Sequence, residues 1–324
     1  MPAGEVTGVS VEDLRIEFPF GGRTWLPVVD GVSFEVRRGE VLGFVGESGS
    51  GKTMTALSLL GLVPEPGRIT RGRIMINGRE VQDLDIREWA RLRGAEVGMV
   101  FQDALSGLNP VRSVGSLLVE AVRRHRDVGR PEARRRALDT LSAVGIPQPE
   151  ERMGVYPHQL SGGLRQRVMI ALAIINGPTV LVADEPTTAL DATIQAQILD
   201  LLRAQAESRA VLLITHDIGV AAAICDRVAV VYSGRMAESG DVISTLQHPR
   251  HPYSVGLLNA VPRFRPDRKA LVPIAGAPPT PSDVVPGCAF APRCPNALER
   301  CPTDRPSLVA DGHRLLACWN PVDD

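Results

Sequence analysis

The chain has 324 residues, is 44% hydrophobic and carries a net charge of −1. That length suffices for two domains, or for one large domain with an appendage. Near-neutral charge excludes the overall basicity of a nucleic-acid-binding protein, so no nucleic-acid partner is expected. Residues 1–20 lack the apolar stretch of a secretory leader. No window holds the ~18 uninterrupted apolar residues that a membrane span needs. The longest apolar stretch, Val211 to Ile224, is broken by His216 and Asp217. These features predict a chain that stays in the cytoplasm, where disulfides are disfavoured. Arginine dominates the basic residues, with lysine only at Lys52 and Lys269.

Residues 10–45 read as strands. VSFEV (Val32–Val36) alternates apolar and polar with period two, and VLGFVG (Val41–Gly46) is a continuous apolar run. The first suits a half-buried antiparallel strand and the second a strand buried on both faces. Met54–Leu60 reads as helix. Residues 87–150 are charged and helical in pattern, with Pro131 near one helix start and Gly145 near its end. From Leu164 to Ile175 the apolar positions form a helical stripe. TVLVADE and AVLLITHD are two further buried-strand candidates. Strands alternating with helices predict an α/β fold with a mainly parallel sheet. After about residue 245, Pro, Arg and Cys accumulate and periodicity fades, which places a domain boundary there.

GESGSGKT (Gly46–Thr53) fits G-x-x-x-x-G-K-S/T and lies between a predicted strand and a predicted helix. Gly46, Gly49 and Gly51 let the backbone curl so that the loop's N–H groups, those of Ser48 and Ser50 included, face phosphate oxygens. Lys52 would reach the β/γ-phosphates of a nucleotide, and the Thr53 hydroxyl would bind Mg²⁺. TVLVADEP ends a buried strand in Asp184, which would join the Mg²⁺ shell, and Glu185, which would orient the attacking water. LSGGLRQR (Leu160–Arg167) opens the striped helix with Ser161, Gly162 and Gly163, a second anion-binding terminus. SGG alone is often a simple serine cap. One nucleotide rarely needs two such loops from one chain, so this loop is expected to serve the nucleotide of a facing subunit.

With these motifs on the page, the chain resembles the ATP-binding subunits of ABC transporters. LSGGLRQR is similar to their signature motif, GESGSGKT to Walker A and VLVADE to Walker B. The resemblance implies an antiparallel β-subdomain, a RecA-like core and a helical subdomain, about residues 88–165, within an ATP-binding domain spanning 1–245. A small Cys-rich C-terminal extension would cover 246–324. It also implies that Glu185 is the catalytic carboxylate, Gln102 the Mg²⁺-sensing glutamine, Asp191 the D-loop acid and His216 the switch histidine. Phe18 is the expected adenine-stacking aromatic, with Phe20 and Trp25 as alternatives because PFGGRTW leaves the register open.

YPHQLSGG, DEPTTALDATIQAQILDLL and HPRHPYSVGLL further resemble the ATPases of dipeptide and oligopeptide importers, most closely the D type of their paired D and F subunits. The activity implied is ATP hydrolysis that drives peptide import. Related importers of nickel or other metal chelates, or of oligosaccharides, are the alternative. A soluble ABC protein acting on DNA or the ribosome fits less well, because no long insertion and no second cassette is present. The implied partners are an F-type ATPase in a head-to-tail dimer, two membrane permeases and an extracytoplasmic substrate-binding protein. The implied location is peripheral, on the cytoplasmic face of the cell membrane.

Four cysteines, Cys288, Cys294, Cys301 and Cys318, follow the spacing C-x5-C-x6-C-x16-C. No C-x2-C knuckle is present, and four thiolates suit zinc or a 4Fe–4S cluster. Some peptide-importer ATPases carry an iron–sulfur cluster on this extension, so the resemblance favours 4Fe–4S over zinc. Cys225 lies in an apolar helical stretch and reads as core. His248 and His251 read as part of the family's C-terminal motif, not as ligands.

Overall fold

Buried strands of this chain send successive side chains to opposite faces, and that period of two builds two cores. The computed structural model describes residues 7–22, 24–103, 107–260, 273–280, 282–283 and 286–323. Among them the strands are β1 (Thr7–Phe20), β2 (Thr24–Arg37), β3 (Val41–Val45), β4 (Arg68–Ile76), β5 (Arg79–Glu80), β6 (Val97–Val100), β7 (Val180–Asp184), β8 (Ala210–Thr215), β9 (Arg227–Tyr232), β10 (Arg235–Asp241), β11 (Val309–Asp311) and β12 (Arg314–Leu316). The α-helices are α1 (Lys52–Ser58), α2 (Ile86–Leu92), α3 (Val114–His125), α4 (Arg130–Ala143), α5 (Pro149–Arg152), α6 (Gly162–Ile174), α7 (Ala192–Ala206), α8 (Ile218–Ile224), α9 (Val242–Gln247) and α10 (Pro252–Asn259).

One antiparallel sheet has the order β2-β1-β4-β5. The larger sheet runs β11-β12-β10-β9-β3-β8-β7-β6 and is parallel from β9 to β6. In β3, Leu42 and Phe44 join the core shared with the antiparallel sheet, beside Val9, Leu14, Ile74 and Leu59. Val41 and Val45 join the opposite core, with Leu118, Leu141, Ile170 and Leu202 of the helices. Strand β7 divides in the same way, with Val180 and Val182 on one side and Leu181 and Ala183 on the other. A strand buried on both faces has no polar alternation, which is why these segments read as continuous apolar runs. VSFEV sits within β2 and buries Val32, Phe34 and Val36, as its alternation predicts.

The mixed α/β architecture, with its antiparallel and helical parts, is therefore the one expected. Helix α4 carries Pro131 in its first turn, and Gly145, at φ +73°, follows its end. The segment expected to be helical from about residue 88 contains β6, which pairs with β7 in the larger sheet. A four-residue apolar run is too short for periodicity to separate strand from helix.

The segment after residue 245 returns to the larger sheet. Strand β12 pairs with β10 through Glu238↔Leu316 and Ser239↔Leu315. Glu238 is 0% exposed. Its carboxylate accepts the backbone N–H groups of Arg250 (3.1 Å) and His251 (3.0 Å) and Nη1 of Arg314 (3.0 Å). A fully buried carboxylate needs such partners to replace the water it has lost.

A second acid ties both sheets to this C-terminal segment. Asp30 of β2 is bonded to Arg15 of β1 (3.0 Å), Arg235 of β10 (2.9 Å) and Arg305 (2.8 Å). Burial opposes its ionisation, but the guanidinium groups of Arg305, Arg235 and Arg15 outweigh it and hold the carboxyl below its ordinary value. Asp30→Asn is expected to cost about 2 kcal/mol at pH 7 in urea denaturation, because it removes the buried charge that three partly exposed guanidinium groups share. The difference from the unsubstituted protein should be complete above the unfolded carboxylate value of about 3.9 and shrink as pH falls from there through the lower folded value.

Candidate active site

Phosphate-loop residues Gly46–Thr53 connect β3 to α1. Gly51 has φ +96°, and a Cβ there would stand 2.7 Å from the Val28 carbonyl oxygen. Gly46 has φ +154°, and a Cβ there would meet the Val231 oxygen at 2.2 Å. Only glycine fits either position. Lys52 opens α1 and is buried. Its ammonium donates to the carbonyls of Gly46 and Glu47, both at 2.8 Å, and to Ser50 Oγ at 3.1 Å. Burial pulls its pKa down, opposed by the nearby carboxylates of Glu185, Asp184 and Glu47.

Strand β7 delivers two acids to the same place. Asp184 is its last residue, and Thr53 Oγ1 donates to Asp184 Oδ1 at 3.3 Å. Burial raises the Asp184 pKa, with the Thr53 hydrogen bond working against it. These oxygen donors suit a hard divalent cation. Glu185 follows at φ +44°, a left-handed conformation that is strained for a residue with a side chain. Its N–H donates to the Ile214 carbonyl at 2.9 Å, which fixes the turn against β8.

Three side chains fix the Glu185 carboxylate. Gln102 Nε2 donates to Oε2 at 3.0 Å, Thr188 Oγ1 donates to Oε2 at 3.1 Å, and His216 Nδ1 lies 3.0 Å from Oε1. Gln102 follows β6, Glu185 follows β7 and His216 follows β8. The carboxyl ends of adjacent parallel strands thus meet at one mouth, where open α/β sheets place their ligands. The sequence pointed to Gln102, Glu185 and His216 separately, and the structure brings Gln102 and His216 within hydrogen-bond reach of Glu185. Thr188 was missed, since TTAL carries no chemical signature of its own.

The Ser161 loop lies elsewhere. Ser161 precedes α6, is exposed, and makes no side-chain capping bond to the helix it precedes. Asp191, by contrast, caps α7 by accepting from the N–H groups of Thr193 (3.1 Å) and Ile194 (3.0 Å). Ser161, Gly162, Gly163 and Asp191 line one open cavity of about 500 Å³. A Cβ at Gly163 would press on Ile194 at 2.6 Å, so glycine there permits close packing of α6 on α7. Phe18 is half-buried in β1, with its ring against Gly67. Trp25, an alternative for the same role, carries the Arg68 guanidinium 3.6 Å from its ring centroid, and Phe20 is 54% exposed.

Cys288, Cys294, Cys301 and Cys318 are free thiols that line one pocket of about 10 Å³, room for about one water. Burial raises the thiol pKa of Cys288 and Cys294 and pushes Cys318 up to about 11, with the neighbouring cysteines adding to each rise. The expected metal centre is not present as a ready-made ligand group. Among the described residues no group of three or more His, Cys, Asp or Glu is placed to hold a metal ion. His251 is buried, accepts the Tyr253 N–H on Nδ1 and is pushed down to about 4 by burial, in keeping with a structural part. Cys225 is likewise buried, in the core, with its thiol raised to about 12.

The ABC transporter family matches residues 29–188, and the oligopeptide/dipeptide transporter C-terminal region matches residues 237–301. The dipeptide transport ATP-binding protein DppD of Escherichia coli (strain K12) is 46% identical over 91% of this chain and 91% of its own length. The chain belongs to the OppD/DppD family of ABC transporter ATP-binding proteins. The oligopeptide transport ATP-binding protein OppD of Salmonella typhimurium is 45% identical over 98% of this chain and 94% of its own. Among solved structures, the dimeric post-hydrolysis state of the ATP-binding cassette MJ0796 bound to ADP and Pi matches with a TM-score of 0.64 and 29% identity, covering 72% of this chain and 98% of that one. This OppD/DppD-family protein is an ATPase, and ATP is the nucleotide of its phosphate loop. Among the described residues no helix is long and apolar enough to cross a membrane.

Proposed function

We propose that this ATPase powers the import of di- and oligopeptides through a membrane permease. The observation that carries the reading is similarity that continues past the ATP-binding motifs into the C-terminal region of oligopeptide and dipeptide transporters. Relatives named for dipeptide and oligopeptide transport, each matched over nearly the whole of both chains, support it.

In this reading Lys52 and the loop amides hold the β- and γ-phosphates of ATP. Thr53, Asp184 and Gln102 would hold Mg²⁺, which offsets phosphate charge when bound. Glu185 accepts a hydrogen bond from the attacking water and draws its proton as the oxygen approaches the γ-phosphorus. Gln102, Thr188 and His216 keep that carboxylate in one orientation, which lowers the reorganisation needed at the moment of reaction. The bond to the β-phosphate breaks, and ADP and phosphate leave. Phe18 stacks on the adenine.

Ser161, Gly162 and Gly163, with Asp191 beside them, serve the ATP of a facing F-type ATPase in a head-to-tail dimer. The uncapped, exposed Ser161 hydroxyl supports this, since it contributes nothing within its own helix. The dimer docks on the cytoplasmic face of two permeases that receive cargo from a substrate-binding protein outside the cell. The division into an ATP-binding domain over 1–245 and an extension over 246–324 belongs to the same reading. Glu185→Gln is expected to leave ATP affinity intact while lowering kcat at least ~100-fold, the scale of a lost general base. Steady-state hydrolysis at the ordinary rate would refute the role given to Glu185.

The four C-terminal thiols would hold a 4Fe–4S cluster, with zinc as the alternative. The support is the donor set, four soft ligands around one pocket. Anaerobically purified protein is expected to contain about four iron and four acid-labile sulfide per chain. Stoichiometric zinc without sulfide would select the alternative, and neither would remove the proposal.

A further inference from the structure

Glu47, the second residue of GESGSGKT, is gripped from the C-terminal extension. Its backbone N–H donates to the Tyr253 hydroxyl at 2.8 Å, and its carbonyl accepts the Lys52 ammonium at 2.8 Å. Its carboxylate is held by both terminal nitrogens of Arg293, at 2.7 and 3.0 Å. A bidentate guanidinium–carboxylate pair fixes direction as well as distance. The Arg293 side chain is only 6% exposed. It is held in turn by the Tyr232 hydroxyl (3.2 Å) and the Ala275 carbonyl (2.9 Å).

The mount for Arg293 is rigid. It ends the 3-10 turn Ala291–Arg293, directly before Cys294. Cys288 anchors the start of that segment by donating its N–H to the Cys301 carbonyl at 2.7 Å. Phe290 packs on Tyr232 and Tyr253, with ring centroids 5.3 and 5.4 Å away, and Tyr253 is fully buried. The extension also walls the loop elsewhere: Pro278, Pro279 and Thr280 line a cavity of about 230 Å³ with Glu47, Ser48, Gly49 and Ser50.

We infer that Arg293 is a positioning residue for the phosphate loop, sequestering the Glu47 carboxylate so that it does not compete with phosphate for the Lys52 ammonium. Glu47 is close enough to Lys52 to act on its charge. Released from Arg293, it becomes an intramolecular anion competing with ATP for the one loop lysine. The C-terminal extension thereby sets nucleotide affinity, and the thiol-lined segment that carries Arg293 is mechanically joined to the site. The inference rests on the ATPase assignment and not on the cargo or the metal.

The test uses the full-length chain, a fluorescent non-hydrolysable ATP analogue with Mg²⁺, and steady-state kinetics. Arg293→Ala is expected to raise the analogue Kd and the KM for ATP about tenfold while kcat changes less than about twofold. Adding Glu47→Gln to that variant should return both values toward those of the unsubstituted protein, because the competing charge is gone. Arg293→Lys, which keeps charge but not the fork, should weaken binding about threefold and carries the test if the alanine variant does not fold. An unchanged Kd in Arg293→Lys and Arg293→Ala would overturn the inference. So would an Arg293→Ala defect that Glu47→Gln fails to relieve, since loss of scaffold alone predicts no rescue.

Discussion

A buried lysine at the carboxyl edge of a parallel sheet sets the terms for the rest of this molecule. Lys52 has little contact with water, so its charge must be met by protein oxygens and by whatever anion the loop receives. Carbonyls of the phosphate loop meet part of it, and the charges of Glu185, Asp184 and Glu47 meet more. Each of those acids then needs its own restraint, or it would collapse onto the lysine. Thr53 restrains Asp184; Gln102, Thr188 and His216 restrain Glu185; Arg293 restrains Glu47. The site is a balance of one buried cation against three directed carboxylates.

That balance explains why the molecule is joined up as it is. Restraints on Glu185 come from strand ends β6, β7 and β8, whose order in the sheet is fixed by parallel pairing. The restraint on Glu47 comes from the far end of the chain, made possible because β12 extends the larger sheet and Glu238 bonds the chain at Arg250 and His251. Asp30 adds a further tie among both sheets and Arg305. The Ser161 loop stands outside this network, with a hydroxyl its own helix does not use. An exposed loop left out of that network agrees with the proposed pairing of this chain with a second ATPase.

Much of this was legible because contiguous residues carried it. A glycine-rich loop, an apolar run ending in Asp184 and Glu185, and a serine–glycine helix start are each local, and each encodes its chemistry in a few positions. Buried strands β3, β7 and β8 were legible from unbroken apolar runs. Strand β6 was not, because Val97–Val100 offers too few residues for a period to show. Arg293 and Glu47 lie too far apart in the chain for any local pattern to pair them, and arginine is common here. The cysteine spacing was visible, but spacing does not fix thiol geometry, and among the described residues no group of three or more ligands is placed to hold a metal ion. Asp191 was expected to serve a nucleotide, and in the structure its carboxylate caps α7.

The central claim is that one chain holds half of each working ATP site. It is tested most directly by measuring ATP turnover per chain on material whose mass is read in the same solution, as the isolated chain and as the assembled complex. The account predicts turnover only where two ATPase chains are joined, with the monomer slower by at least ~100-fold, the cost of one missing set of preorganised donors. A verified monomer hydrolysing ATP at the rate of the complex would contradict it.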